Sequence, residues 1–145
     1  MKNLERGMIM MSDCKISKLN ILVVEDESLV AKALTVTLMR LGHQVTSIAS
    51  TGEEAVERAE EEKPDLILMD IILDGEMDGI DAVKAICSRS QIPFIYVTAH
   101  ADQNTKQRAD QTKPYGYLIK PYKEKELEAA ICEAVARCEM ETAEE

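Results

Sequence analysis

Short apolar runs punctuate the chain, and between them apolar residues recur every three to four positions. Such runs are typical of strands buried on both faces of a parallel sheet, whereas the intervening spacing is typical of amphipathic helices. The predicted strands are Leu19–Val24, Val45–Ala49, Leu66–Asp70, Pro93–Thr98 and Tyr115–Ile119. The pattern therefore predicts a strand followed by a helix, repeated five times along the chain.

Capping and breaking residues bound the predicted helices. These helices are Glu27–Leu41, the segment from Ser50-Thr51 to the residue before Pro64, the segment opened by Asp78-Gly79, Asp102–Thr112, and the segment from Lys123 to Cys138. The third helix places Ile80, Val83, Ile86 and Cys87 on its predicted inner face. The fourth has almost no apolar stripe, so we expect it to pack weakly and to be the most mobile helix.

Parallel strands joined by helices form right-handed crossovers. The predicted fold is therefore α/β, a doubly wound five-stranded parallel sheet with five helices over both faces. No GxGxxG segment follows the first strand, and no GxxxxGK[ST] segment occurs in the chain. Neither a dinucleotide site nor a nucleoside triphosphate site is indicated.

Chemically informative residues stand where the predicted strands end, at Glu25, Asp26, Asp70, Thr98 and Lys120. Open α/β sheets bind ligands beyond the carboxyl ends of their strands, so these side chains are expected to meet. Clustered carboxylates favour a hard cation such as Mg²⁺. With the lysine and the hydroxyl they would form a pocket for a phosphoryl group, with Asp70 as the nucleophile. Taken singly, each residue also has an ordinary structural explanation, such as helix capping by Glu25 and Asp26.

Composition narrows the class of protein. The chain has 145 residues, 46% of them hydrophobic, and a formal net charge of -10, which fits one globular domain and argues against nucleic acid as a partner. No apolar stretch approaches the roughly 20 residues of a membrane span, and Met1–Asn20 lacks the centre of a signal peptide. Cysteine usage points the same way, because Cys14, Cys87, Cys132 and Cys138 form neither a CxxC motif nor a metal-type spacing. We therefore expect a cytoplasmic protein whose cysteines are reduced thiols.

Five motifs resemble the receiver (phosphoacceptor) domain of two-component response regulators. The motifs are ILVVEDE, DLILMD, MDGI, PFIYVTA and GYLIKP, which follow the order and spacing of the family over roughly residues 18 to 138. The resemblance is to stand-alone receivers of the chemotaxis-regulator type. It implies the flavodoxin-like strand order 2-1-3-4-5.

The resemblance also implies a metal site. Glu25 and Asp26 match the acidic pair that holds Mg²⁺, for which Mn²⁺ is an alternative. Asp70 matches the phosphoacceptor, and the backbone carbonyl of Ile72 matches a further metal ligand. In this interpretation three carboxylates and one carbonyl surround the ion.

A switch is implied in the same way. Thr98 matches the hydroxyl residue that moves onto the phosphoryl group, and Lys120 matches the lysine that binds it. Tyr117 matches the aromatic residue that points outward in the inactive state and inward after phosphorylation. The Lys120-Pro121 peptide matches one that is usually cis in the family.

The implied function is a phosphorylation-dependent signalling switch rather than an enzyme with a separate substrate. The phosphoryl donor would be a histidine kinase or a histidine phosphotransfer protein, and the output a protein-protein contact with an unknown target. The face formed by helix 4, strand 5 and helix 5 would carry that contact or a homodimer, and neither nucleic acid nor membrane is expected as a partner. We expect a disordered N-terminal tail at residues 1–17, the receiver at 18–138 and an acidic tail at 139–145.

Other classes of protein remain as alternatives. The chain is equally consistent with a receiver module excised from a larger hybrid kinase. An aspartyl-phosphate phosphatase would place a second acid two residues after the nucleophile, where this chain has Ile72. A flavodoxin would need a phosphate loop after the first strand, and a pseudo-receiver would have lost a site residue.

The sequence departs from the family after Asp70. The loop to Gly79 is one residue longer than in the shortest members, and Asp74-Gly75 replaces the common Met-Pro turn. Ile72 stands at a position that tunes loss of the phosphoryl group in the family, and an isoleucine cannot orient water. We therefore predict slow autodephosphorylation, which a half-life of a few seconds for the phosphorylated protein would contradict.

Overall fold

Five strands alternate with five helices along the chain. The computed structural model describes residues 17–99 and 102–144. In chain order the elements are β1 (Asn20–Val24), α1 (Ser28–Arg40), β2 (Gln44–Ala49), α2 (Gly52–Glu62), β3 (Leu66–Met69), α3 (Gly79–Cys87), β4 (Phe94–Thr98), α4 (Gln103–Gln111), β5 (Gly116–Ile119) and α5 (Glu124–Glu144). Each predicted strand and helix is present, with boundaries that move by one or two residues except at the end of α5.

All strand pairs are parallel, in the order β2-β1-β3-β4-β5. Successive side chains of a strand point to opposite faces, so each central strand contributes to two apolar layers. In β1, Leu22 and Val24 pack with α2, α3 and α4, whereas Ile21 and Val23 pack with α1 and α5. The predicted doubly wound fold and its strand order are confirmed.

A close backbone contact positions the start of α3 beneath the end of β3. Gly79 donates its N–H to the carbonyl of Ile71 at 2.8 Å. A Cβ at Gly79 would lie 2.1 Å from the carbonyl oxygen of Asp70, so a glycine is needed here. The side chain of Asp78 accepts from Asp81 N–H and forms a capping box, as the Asp78-Gly79 signal predicts.

Several expectations about individual residues are wrong. Cys87 is exposed rather than inward-facing, because α3 ends there and its buried positions stop at Ile86. Cys132 is disulfide-bonded, which contradicts the expectation of reduced thiols at this residue, whereas Cys87 has a free thiol. His43 follows Gly42, which predicts a simple turn residue, but it is buried and its Nδ1 accepts from Leu19 N–H at 3.1 Å.

The structure can be compared with the predicted tails at the two ends of the chain only in part. The expectation for residues 1–17 falls almost entirely outside the described residues, as does Cys14. α5 continues to Glu144, so most of the segment predicted as an acidic tail extends the last helix. Within the part of the chain that the structure describes, no helix is both long enough and apolar enough to cross a membrane.

Candidate phosphoacceptor site

Three carboxylates meet at the carboxyl edge of the sheet, where β1 and β3 end side by side. Glu25 and Asp26 follow β1, and Asp70 follows β3, with its N–H bonded to the carbonyl of Val24. One oxygen of each carboxylate lies within 4.8 Å of the others. Glu25 and Asp70 are only 3% and 6% exposed, whereas Asp26 is partly open. Closely grouped carboxylate oxygens with open solvent on one side suit Mg²⁺, which retains water ligands.

Lys120 connects β5 to this acidic cluster. Its Nζ donates to Glu25 Oε1 at 2.7 Å and to Asp70 Oδ2 at 3.2 Å. The peptide that follows, Lys120-Pro121, is cis. A lysine held between two buried carboxylates neutralises part of their charge and keeps a cation beside the Asp70 oxygens.

Burial and mutual repulsion perturb the ionisation of the cluster. Desolvation and the nearby charge of Glu25 raise the pKa of Asp70 to about 6, although Lys120 opposes this shift. Burial also favours a higher pKa for Glu25, but the hydrogen bonds from Lys120 and from Glu27 N–H lower it below the usual value. Perturbed carboxylates of this kind are typical of functional sites.

Thr98 ends β4 and Tyr117 lies in β5, and the hydroxyls of the two side chains differ in their hydrogen bonding. Thr98 is 1% exposed, and among the described residues its hydroxyl has no hydrogen-bond partner. Tyr117 is half-buried, with its ring centroid 5.7 Å from that of Tyr96, and its hydroxyl donates to Asp110 on α4. An unsatisfied buried hydroxyl is uncommon and calls for an explanation.

The loop after Asp70 closes over the acidic cluster with backbone donors. Ile72 N–H donates to Asp70 Oδ1 at 3.1 Å, and Asp74 N–H donates to Asp26 Oδ2 at 3.2 Å. The side chain of Ile72 is 62% exposed and so presents an apolar surface next to the site. Its backbone carbonyl stays a predicted metal ligand.

One feature near the site was missed by sequence reasoning. Arg108 of α4 donates through Nη1 to Asp78 Oδ2 at 3.0 Å and through Nη2 to Asp81 Oδ1 at 3.3 Å. We call these three residues the Arg108 clasp. The partners are separated by about thirty positions, so no helical spacing signals the contact, and only the packing of α4 beside α3 creates it.

Comparison with known proteins agrees with this geometry. The family model described as the response regulator receiver domain matches residues 21–132. The transcriptional regulatory protein PdtaR of Mycobacterium tuberculosis is 38% identical over 117 residues, which cover 81% of this chain and 57% of PdtaR. The DNA-binding response regulator MtrA of Mycolicibacterium smegmatis is 35% identical, covering 86% of this chain and 54% of MtrA. The chain thus spans little more than half the length of these relatives.

Solved structures of receiver domains are also similar to this chain. The signal receiver domain of a modulated diguanylate cyclase from Desulfovibrio desulfuricans has a TM-score of 0.82 and 35% identity, with 86% of this chain and 99% of that chain covered. The receiver domain of the sensor histidine kinase PA1611 from Pseudomonas aeruginosa has a TM-score of 0.69 and 34% identity, over 77% and 92% of the two chains respectively. The fold and the acidic site define a signalling module of the two-component type. The chain belongs to the response regulator receiver domain family, whose members are phosphorylation-dependent signalling switches.

Proposed function

We propose that this chain accepts a phosphoryl group on Asp70 in a Mg²⁺-dependent reaction. The observation that carries the proposal is the grouping of the Asp70, Glu25 and Asp26 carboxylates within 4.8 Å, with Lys120 Nζ bonded to two of them. A bound Mg²⁺ would neutralise charge on the acids and on the incoming phosphoryl oxygens. The PA1611 receiver has a magnesium ion coordinated in its active site cleft, which supports the choice of ion.

The donor would be a phosphorylated histidine on a histidine kinase or phosphotransfer protein. An Asp70 carboxylate oxygen forms the new P–O bond while the N–P bond of the donor breaks, and the freed imidazole takes up a proton from solvent. Lys120 then pairs with a phosphoryl oxygen. Apart from this self-phosphorylation and the later loss of the group to water, we propose no turnover of a separate substrate.

An open apolar groove beside the site supports a protein donor. The groove is about 380 Å³ in volume and is lined by Leu29, Val30, Ala33, Leu34, Thr37 and Tyr122. Leu29 follows Asp26 by three positions and Tyr122 follows Lys120 by two, so a partner seated in the groove would be close to the acidic cluster. We propose this groove as the surface that receives the phosphodonor protein.

The switch would use the unsatisfied hydroxyl of Thr98. A phosphoryl group on Asp70 adds strong acceptor oxygens and about two negative charges, which attract that hydroxyl. Its movement would vacate space for Tyr117 to turn inward and leave Asp110. The face formed by α4, β5 and α5 would then change its contacts with a downstream protein or a second copy of the chain.

Two arrangements of the whole protein fit this chemistry. The chain acts as a stand-alone receiver, or it is the receiver module of a longer protein such as a hybrid kinase. The second arrangement is supported by the longer curated relatives and by PA1611, which is a sensor histidine kinase. The cytoplasmic location and the division into a receiver with two tails stay predictions from the sequence.

Intact-mass measurement tests the proposal most directly. After incubation with acetyl phosphate and Mg²⁺, the unmutated protein should gain the mass of one phosphoryl group, and chelation of the metal should prevent the gain. Asp70→Asn, which keeps the shape of the side chain, should show no gain. An unchanged mass in the unmutated protein, or an equal gain in Asp70→Asn, would overturn the proposed function.

A further inference from the structure

Polar side chains hold α4 to the rest of the molecule. Among its residues, all of which the structure describes, only Ala109 is buried. Asp110 accepts from the Tyr117 hydroxyl, and Lys106 Nζ lies 5.1 Å from the centroid of the Tyr117 ring. Arg108 provides the contact with α3. A helix held in this way moves at a smaller free-energy cost than one with a buried apolar face.

The Arg108 clasp reaches close to the backbone of Asp70. Two nitrogens of the Arg108 guanidinium donate to two different carboxylates, those of Asp78 and Asp81. Asp78 caps α3, and the next residue, Gly79, lies directly against the Asp70 carbonyl. The clasp therefore ties α4 to the segment that packs against the Asp70 backbone, by a route separate from Thr98 and Tyr117.

We propose that the Arg108 clasp holds α4 in the unphosphorylated arrangement and thereby sets how readily phosphorylation shifts this helix. The inference rests on the proposed function. When Tyr117 turns inward it leaves Asp110, so a shift of α4 then has to break the clasp on its α3 side. A contact made in only one of two states stabilises that state, so its removal favours the other state and the ligand that selects it.

Binding of beryllofluoride, a stable mimic of the phosphoryl group, measures this equilibrium in the presence of excess Mg²⁺. The apparent Kd is read from NMR titrations that follow the backbone amides of α4. Arg108→Gln removes the charge and should bind beryllofluoride about twofold to fivefold more tightly, the range expected for a partly exposed ion pair. Lys84→Gln makes the same charge change on the exposed surface of α3 and should leave the Kd unchanged.

A double-mutant cycle separates the clasp from a general effect on structure. Asp78→Asn keeps a capping oxygen for α3 but removes the negative charge, so it should tighten binding as Arg108→Gln does. The double variant should bind no more tightly than either single variant, because both remove the same interaction. Additive effects would show that the two residues act independently and would overturn the inference.

The remaining outcomes are also decisive. An unchanged Kd in Arg108→Gln would overturn the inference while leaving the proposed function intact. Weaker binding in that variant would place the clasp in the phosphorylated arrangement, opposite to the proposal. Absence of beryllofluoride binding in the unmutated protein would instead contradict the proposed function itself, and the inference with it.

Discussion

The helices α3 and α4 have the same length and lie on the same face of the sheet, but they are held by different forces. Each contains nine residues. α3 buries four apolar side chains, namely Ile80, Ala82, Val83 and Ile86. α4, described in full, buries only Ala109 and relies on hydrogen bonds and ion pairs with its neighbours.

This difference separates the fixed part of the receiver from the part that responds. Apolar burial does not depend on charge, so the phosphoryl group that we propose for Asp70 would leave the packing of α3 unchanged. Polar contacts depend on the charge and position of both partners. α4 makes such contacts with Tyr117 and with Asp78, which directly precedes the glycine packed against Asp70. A change at Asp70 is therefore expected to move α4 before α3.

The largest expected effect comes from breaking the apolar anchor of α3. Ile80→Ala removes a fully buried side chain and should lower the free energy of unfolding by about 2–5 kcal/mol. Urea denaturation followed by circular dichroism measures the loss. Leu29→Ala on α1, where the leucine is 81% exposed, is the control and should change stability by about 0.5 kcal/mol or less. Equal losses in the two variants would mean that burial does not anchor α3.

A smaller effect is expected from loosening α4. The buried Tyr96 hydroxyl lies 2.7 Å from Thr112 Oγ1, and Thr112 in turn donates to the carbonyl of Ala109, so Tyr96 is the donor. Thr112→Val keeps the shape but leaves this donor unsatisfied, which should cost about 1–3 kcal/mol. Hydrogen exchange should accelerate in α4 much more than in α3, because α3 keeps its buried apolar contacts.

The matched control is Tyr96→Phe, which removes the donor itself. Because no unsatisfied group remains, this change should cost about 0.5–1.5 kcal/mol, less than Thr112→Val. If Tyr96→Phe were the more destabilising of the two, the Tyr96 hydroxyl would stabilise the fold by something other than its hydrogen bond to Thr112.

The sequence predicts that α3 is buried through apolar residues and that α4 is not, but it does not predict which contacts hold α4. The apolar spacing in α3 and its absence in α4 are visible in the residues, because local periodicity reflects which face is buried. The strand-end acids and lysine were also found, because parallel strands bring their carboxyl ends to one edge. The contacts that hold α4 in place of apolar burial join Arg108 to Asp78 and Tyr96 to Thr112, residues distant in sequence, and no local pattern indicates them.

Other mismatches have similar physical causes. His43 follows a helix-ending glycine, which is typical of a turn, but its side chain is buried and accepts a hydrogen bond from Leu19 N–H. Cys87 continues the helical spacing of α3, yet the helix ends there and the side chain stays exposed. In both residues the tertiary environment overrides the local pattern.

The smallest expected effect concerns Asp78, which serves both helices. Its side chain accepts from Asp81 N–H at 2.8 Å, which caps α3, and from Arg108, which restrains α4. Asp78→Ala removes both roles and should cost about 0.5–2 kcal/mol, mostly from the lost cap. Asp78→Asn keeps the cap and should lose only the ion pair, about 0.2–1 kcal/mol.

The pH dependence of folding stability distinguishes the two roles of Asp78, the capping of α3 and the ion pair with Arg108. Burial alone would raise its pKa, but the hydrogen bonds from Asp81 N–H and the Arg108 guanidinium lower the pKa below its usual value. The ionised form therefore stabilises the fold above the unfolded-state pKa of about 4, and this contribution is lost as the pH falls through the lower folded-state value. The stability difference between the unmutated protein and Asp78→Asn, measured by urea denaturation, should be largest at neutral pH and shrink toward about pH 3. A difference independent of pH would show that the charge of Asp78 contributes nothing to the restraint of α4, and that the capping of α3 is its whole role.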